Sequence, residues 1–142
     1  MSELRVIRGG DLSGGTAQTA GMQRSAAISG DLVGAQELWM GRTVVAAGAS
    51  SGDHHHGRSE TGIYVVSGHP VFVFLAEGEE QRIETSPGDY VFVPPYVPHR
   101  EENPHPEPAV VVLARSTQEG IVVNLPSLDA PVEIPAEGTT GP

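Results

Sequence analysis

The sequence predicts a small all-β protein, a sandwich or barrel of short strands, on three observations. Runs rich in Val, Ile, Tyr and Phe recur at a spacing of about ten residues. The 18 Gly and 12 Pro of this 142-residue chain are a high share, and many fall between those runs. No segment shows a convincing amphipathic helical period.

The elements follow in order. Val6-Ile7 reads as a short strand, Thr16 to Gly21 as loop, and Ala26 to Ile28 as a brief strand. Glu37 to Ala47 (ELWMGRTVVAA) is the first substantial strand, rich in β-formers. Thr61 to Val66, Val71 to Leu75, Gln81 to Glu84, Tyr90 to Val93, Ala109 to Ala114 and Gly120 to Val123 follow. Turn signals separate them: Ser67-Gly68-His69-Pro70, Glu77-Gly78, Pro87-Gly88-Asp89 and Asn103-Pro104. From Asn124 on, four prolines and little periodicity predict an extended tail, loose or laid across a neighbouring surface. The expected division is an N-terminal extension over 1–36, a barrel over 37–123 and a Pro-rich tail over 124–142.

A chain of this length makes one domain with a core of its own. With no cysteine, any bound metal must be held by nitrogen and oxygen. Eight basic against 18 acidic residues give a net charge of −10. That argues against nucleic acid and against an anionic membrane, since both need a surplus of cations. The start MSELRVIRGG lacks the basic and apolar regions of a signal peptide, and no apolar run could span a bilayer. The expected location is cytoplasmic.

The most informative stretch is Gly52-Asp53-His54-His55-His56-Gly57-Arg58-Ser59-Glu60. Imidazole is a common ligand for divalent metals. Residues two apart on a strand face the same side, so His54 and His56 can point into one cavity while His55 points away. Glu60 follows after a turn's worth of chain and can bring a carboxylate to the same spot. Pro98-His99-Arg100, after the strand Tyr90 to Val93 and a Pro-Pro turn, offers a second element to complete the site. A plain surface histidine run is the competing reading. His69 and His105, beside prolines in turns, read as solvated. Arg58 either pairs with an acidic neighbour or holds a substrate carboxylate at the pocket mouth.

These residues resemble the two motifs of the cupin superfamily. The first motif is matched by Gly48, then His54-x-His56 after five residues, then Glu60 after three more. Its closing glycine, Gly68, comes seven residues after Glu60 where the family has six. The second is matched by Gly88, Pro94, His99 and Asn103 at the family's intervals, with Tyr96 in place of a glycine. The likeness covers roughly residues 37 to 115. It implies an antiparallel, jelly-roll-like double-sheet barrel, with one divalent metal held by His54, His56, Glu60 and His99. The extra residue before Gly68 leaves two outcomes. Either a β-bulge after Glu60 absorbs it and Glu60 binds the metal, or the motif position falls on Thr61, Glu60 stands back, and His55 can swing in.

Three histidines, with or without a carboxylate, suit Fe, Zn, Mn, Ni, Co or Cu and leave positions open for water, dioxygen or substrate. Glu60, His55 and Arg58 are the candidate catalytic groups. Trp39, Tyr64, Phe72, Phe92 and Tyr96 are the candidate pocket residues, most of them expected to be packing. The resemblance implies a metal-dependent single-cupin enzyme acting on a small carbonyl-rich or aromatic molecule, of dioxygenase or polyketide-cyclase type. A sugar-phosphate isomerase would need more basic residues near the motifs. A non-catalytic ligand-binding or sensing module is the alternative, and a structural protein with accidental histidines is the third reading. A homodimer is expected, because barrel edges and flat faces need cover.

Overall fold

The computed structural model describes residues 3–16, 18–118 and 120–136. Ten strands form two five-stranded sheets: β1 (Met22–Ile28), β2 (Trp39–Val45), β3 (His54–His55), β4 (Thr61–Ser67), β5 (Val71–Ala76), β6 (Glu79–Glu84), β7 (Tyr90–Val93), β8 (His99–Glu102), β9 (Ala109–Arg115) and β10 (Val123–Asn124). Their orders are β1-β2-β9-β4-β7 and β10-β3-β8-β5-β6, with every pairing antiparallel. Among the described residues helix is confined to a 3-10 turn at Gly9–Asp11 and α1 (Gly30–Val33), capped by the Ser29 side chain accepting from Leu32 N.

The two-residue period explains what lies inside. On β4, Thr61, Ile63 and Val65 are buried while Gly62, Tyr64 and Val66 face out. Ile63, Val65, Phe72, Val93 and Val111 form the core between the sheets, flanked by Val91 and Leu113. Met22, Val45 and Ala109 close one end. A third cluster lies on the outer face of the second sheet, where Leu128 covers Val71 and Val73. The tail is thus laid on that surface at Leu128, residues 131–136 are mostly exposed, and the last residues, 137–142, lie outside the described residues.

Several boundaries differ from expectation. Val6-Ile7 is not a strand, because it has no neighbouring strand to pair with. The brief strand at 26–28 is the end of the longer β1, which extends the first sheet beside β2. The short strands β3 and β8 were not legible as strands, because neither carries an apolar alternation. Each is held by its neighbours, with His54 of β3 directly opposite His99 of β8.

Two departures from the motifs acquire a local account. Tyr96 has φ +62°, the left-handed conformation that the motif's glycine would adopt without strain. Its N–H donates to Gly57 O at 2.8 Å, which ties the turn before β8 to the end of the histidine run. The extra residue before Gly68 is absorbed in β4, where the register against β9 shifts between Val65 and Ser67. Gly68 itself has φ +81°, and a Cβ there would lie 2.8 Å from Ala109.

Candidate metal centre

The pairing of β3 with β8 and the position of His56 directly after β3 bring three imidazoles together. The His54 and His99 ring centroids are 4.5 Å apart, His54 and His56 4.9 Å, and His56 and His99 5.1 Å. One ring nitrogen from each lies within 4.8 Å of the others. The other nitrogen of every ring is tied to the backbone. Nδ1 of His54 lies 2.7 Å from Gly52 O, Nδ1 of His56 2.9 Å from Ile121 O, and Nδ1 of His99 3.0 Å from Val97 O. A carbonyl can only accept, so each Nδ1 carries the hydrogen and each Nε2 keeps its lone pair. Backbone carbonyls behind the rings thus fix the tautomer that a metal requires.

Burial also keeps the imidazoles neutral. It pushes His56 down to about 3, with the charge of His99 adding to the effect. His54 and His99 are lowered for the same first reason. A neutral imidazole is the metal-binding form.

His56 and His99 open onto a small cavity between the sheets, about 30 Å³, enough for one or two waters. Its apolar wall includes Ile63, Val93, Val111 and Leu113. Its polar groups are Arg24, Arg115, Glu101, Thr43 and Thr61. Thr43 is buried, and its Oγ1 has no hydrogen-bond partner among the described residues. Such an orphan in a polar cavity marks a place for a ligand atom or a water. Glu101 is held above the usual carboxylate range by burial, against the opposing pull of Arg24 and His54. Burial lowers Arg115 to about 10, with the charge of Arg24 contributing. The two guanidinium groups therefore sense one another across the cavity.

The other expected site residues lie elsewhere. Glu60 is exposed and outside the converging group. Its backbone N–H donates to Ser116 Oγ at 3.0 Å, and it stands one position before the inward Thr61. The bulge that absorbs the extra motif residue lies at the far end of β4, so it does not turn Glu60 inward. His55 points away: its Nδ1 accepts from Gly57 N at 2.9 Å and its ring lies 5.8 Å from that of Tyr96. Arg58 is exposed and lines none of the described cavities.

None of the five aromatic candidates lines the histidine cavity. Trp39 is core, its ring folded over Gly41 of its own strand and covered by Arg115 at 4.0 Å. Tyr64 stacks beside Tyr90 on the outer face of the first sheet. Phe72 belongs to the core and Phe92 is largely exposed; both border a groove between β6 and β7 that reaches His99. Tyr96 packs by His55.

Sequence reasoning missed Arg24, Glu101 and Arg115. The signal was present: Arg24 alternates with Met22 and Ala26, Glu101 lies two after His99, and Arg115 ends the inward series Val111, Leu113. A charged residue at an inward strand position marks a polar cavity.

The arrangement defines a class, the double-sheet β-sandwich carrying a buried imidazole cluster between its sheets. The cupin domain family (Cupin_2) matches residues 41–115, more than half of the chain, and the chain belongs to that family. No curated protein matches the sequence. Among solved structures, an oxalate oxidase in complex with the substrate analogue glycolate is similar, with a TM-score of 0.66 and 18% identity over 80% of this chain. The Bacillus subtilis oxalate decarboxylase is similar with a TM-score of 0.65 and 24% identity over 76% of this chain. The Lactobacillus farciminis oxalate decarboxylase formate complex gives 0.67 and 21% over 82%. This chain spans 60% of the oxidase and 28% and 34% of the two decarboxylases. At these identities the likeness is one of fold. Among the described residues, no helix is long and apolar enough to cross a membrane.

Proposed function

We propose that this cupin is a metal-dependent enzyme acting on a small carbonyl-rich molecule that carries a carboxylate. The observation that carries the reading is the convergence of three Nε2 lone pairs, each fixed by a backbone carbonyl, beside a cavity lined by the buried Arg24 and the half-buried Arg115. His54, His56 and His99 would hold one divalent ion. The donor set fits: three neutral imidazoles suit several first-row metals and do not discriminate among them. Bound there, the ion would supply Lewis acidity or oxygen activation.

The chain's own residues supply the rest. Arg24 and Arg115 favour a carboxylate, since a guanidinium matches its two oxygens in charge and shape. Thr43 Oγ1 offers a hydrogen bond that nothing in the protein takes. Among the described residues Glu101 is the one carboxyl group lining the cavity, placed to hold or release a proton beside the substrate. The apolar wall limits bulk water. The cavity's size favours a substrate of few atoms, which supports an oxygenase-type reaction over cyclisation of a polyketide. The similar enzymes named above were solved with glycolate and formate, both small carboxylates, which agrees with this choice.

A homodimer is part of the proposal. Tyr64, Val66, Tyr90 and Phe92 leave apolar side chains exposed on the outer face of the first sheet, where a second copy would cover them. Light scattering at the mass of a monomer would remove that part.

Elemental analysis of untagged protein, purified without added metal or chelator, tests the metal reading. About one equivalent of a single metal is expected, lost in His54→Ala/His56→Ala and in His99→Ala. Protein that neither carries nor takes up metal would overturn it and leave the ligand-binding module.

A further inference from the structure

The histidine cavity shares walls with two larger spaces that open outward, so a substrate has two possible ways in. One is a pocket of about 240 Å³ bordered by Ser29, Leu32, Trp39 and Gln118, which shares Arg115 and Gly120 with the inner cavity. The other is the groove of about 620 Å³ between β6 and β7, which shares Val93 and His99. Their chemistry differs. The groove is walled largely by apolar side chains, Phe72, Phe74, Phe92 and Val97 among them, and its charged lining residues are Glu84 and Asp89. An anion on that path would shed water against an apolar wall and pass two carboxylates. Among the described residues the outer pocket has one carboxylate, Asp31, and it shares the guanidinium-bearing Arg115 with the inner cavity.

Arg115 is held at that junction by neutral groups. Its Cζ lies over the Trp39 ring, 4.0 Å from the centroid, Nε donates to Thr117 O at 3.2 Å, and Nη2 donates to Gln118 O at 3.3 Å. Among the described residues no carboxylate pairs with it. The loop carrying those carbonyls is itself fastened: Ser59 and Thr117 hydroxyls are 2.7 Å apart, and Gln118 Oε1 accepts from Gly30 N at 2.7 Å. A cation fixed in this way keeps its charge available to a passing anion and gives up little side-chain freedom on binding. On the inner side, Arg24 and the orphan Thr43 hydroxyl continue the polar track.

We propose that Arg115 is the specificity-determining residue of this site: a small carboxylate enters through the outer pocket and is selected by the guanidinium that forms the neck to the histidine cavity. The inference rests on the metal-site reading above. Arg115 selects and positions the substrate; it takes no part in the bond chemistry.

The test uses the full chain loaded with Co(II), whose visible absorption reports ligands entering the site. Acetate and acetamide, equal in shape and different in charge, are titrated in turn. Wild-type protein is expected to bind acetate at least about tenfold more tightly, the scale of one charge-assisted hydrogen bond. Arg115→Met should lose that preference and Arg115→Lys keep most of it, with Co(II) stoichiometry unchanged and a folded far-UV circular-dichroism spectrum in both. A merely structural role would move both ligands together. An acetate preference that survives in Arg115→Met overturns the proposal. Wild-type protein that takes up no Co(II) overturns the metal reading and this inference with it, whereas intact Co(II) binding without acetate preference overturns this inference alone. Stopped-flow association identifies the route. Leu32→Trp, which fills the outer pocket, should slow acetate entry about tenfold, and Ile83→Trp in the groove should not. The reverse pattern, or no slowing by either, refutes entry through the outer pocket.

Discussion

Asn103, the last residue of the second motif, is the clearest target for a quantitative prediction. It is 1% exposed. Its side-chain Nδ2 donates to Glu107 O at 2.7 Å and shares its second proton between Val45 O at 3.2 Å and Ala46 O at 3.3 Å. Its Oδ1 accepts from His105 N at 3.2 Å, and its backbone N–H donates to Ala49 O at 2.8 Å. One side chain thus ties the end of β2 to the loop between β8 and β9. Asn103→Ala leaves buried carbonyls without donors, at about 1–3 kcal/mol per deprived group. Two lost bonds give a destabilisation of roughly 3 kcal/mol, or roughly 10 °C in melting temperature for a domain of this size. Asn103→Asp keeps the shape but aims a carboxylate at three carbonyl oxygens, so it should cost more at pH 8. It should recover partly at pH 5, because the folded state raises the carboxyl pKa and protonation restores one donor. Circular-dichroism melts at both pH values, each beside wild type, measure this. Variants melting within about 2 °C of wild type would refute the reasoning that Asn103 is a structural tie.

Glu60→Gln should leave metal affinity unchanged in a chelator competition, and a tenfold loss would put Glu60 among the ligands. Gly41→Ala should destabilise by about 1–3 kcal/mol, because its Cβ would meet the Ser25 carbonyl and the Trp39 ring; unchanged urea unfolding followed by Trp39 fluorescence would contradict this. The metal-free protein should lose stability as pH falls below about 6.5, since unfolded histidine takes up a proton there. Folded His56, pushed down to about 3, does not. The unfolded state then binds more protons, and His56 alone contributes a loss of about 2 kcal/mol at pH 5, with His54 and His99 adding in the same direction. Equal urea midpoints at pH 7.5 and pH 5 would refute it, and bound metal should deepen the dependence, because protons compete with it for the same nitrogens.

Much of the fold was legible because its signals are local. Runs of β-formers locate β2, β4, β5, β7 and β9, and turn residues separate most of them. The pair His54 and His56 was legible for the same reason, and His99 through its spacing in the motif. The short strands β3 and β8 carry no such pattern; they are strands because pairing with neighbours satisfies their backbone groups.

By itself, then, the sequence determined the two-sheet class, three histidines able to share a site, and the absence of thiolate ligands. Tertiary structure decided the rest. Glu60 faces out because β4 begins one residue later and its alternation puts Thr61 inside. Arg24, Glu101 and Arg115 share a cavity because β1, β8 and β9, distant in sequence, bring their inward faces together. Leu128 docks on β5 because the outer face of that sheet leaves apolar groups to cover. Which strands pair, and which inward residues then meet across the sheets, depends on burial of the whole chain and is encoded in no single segment.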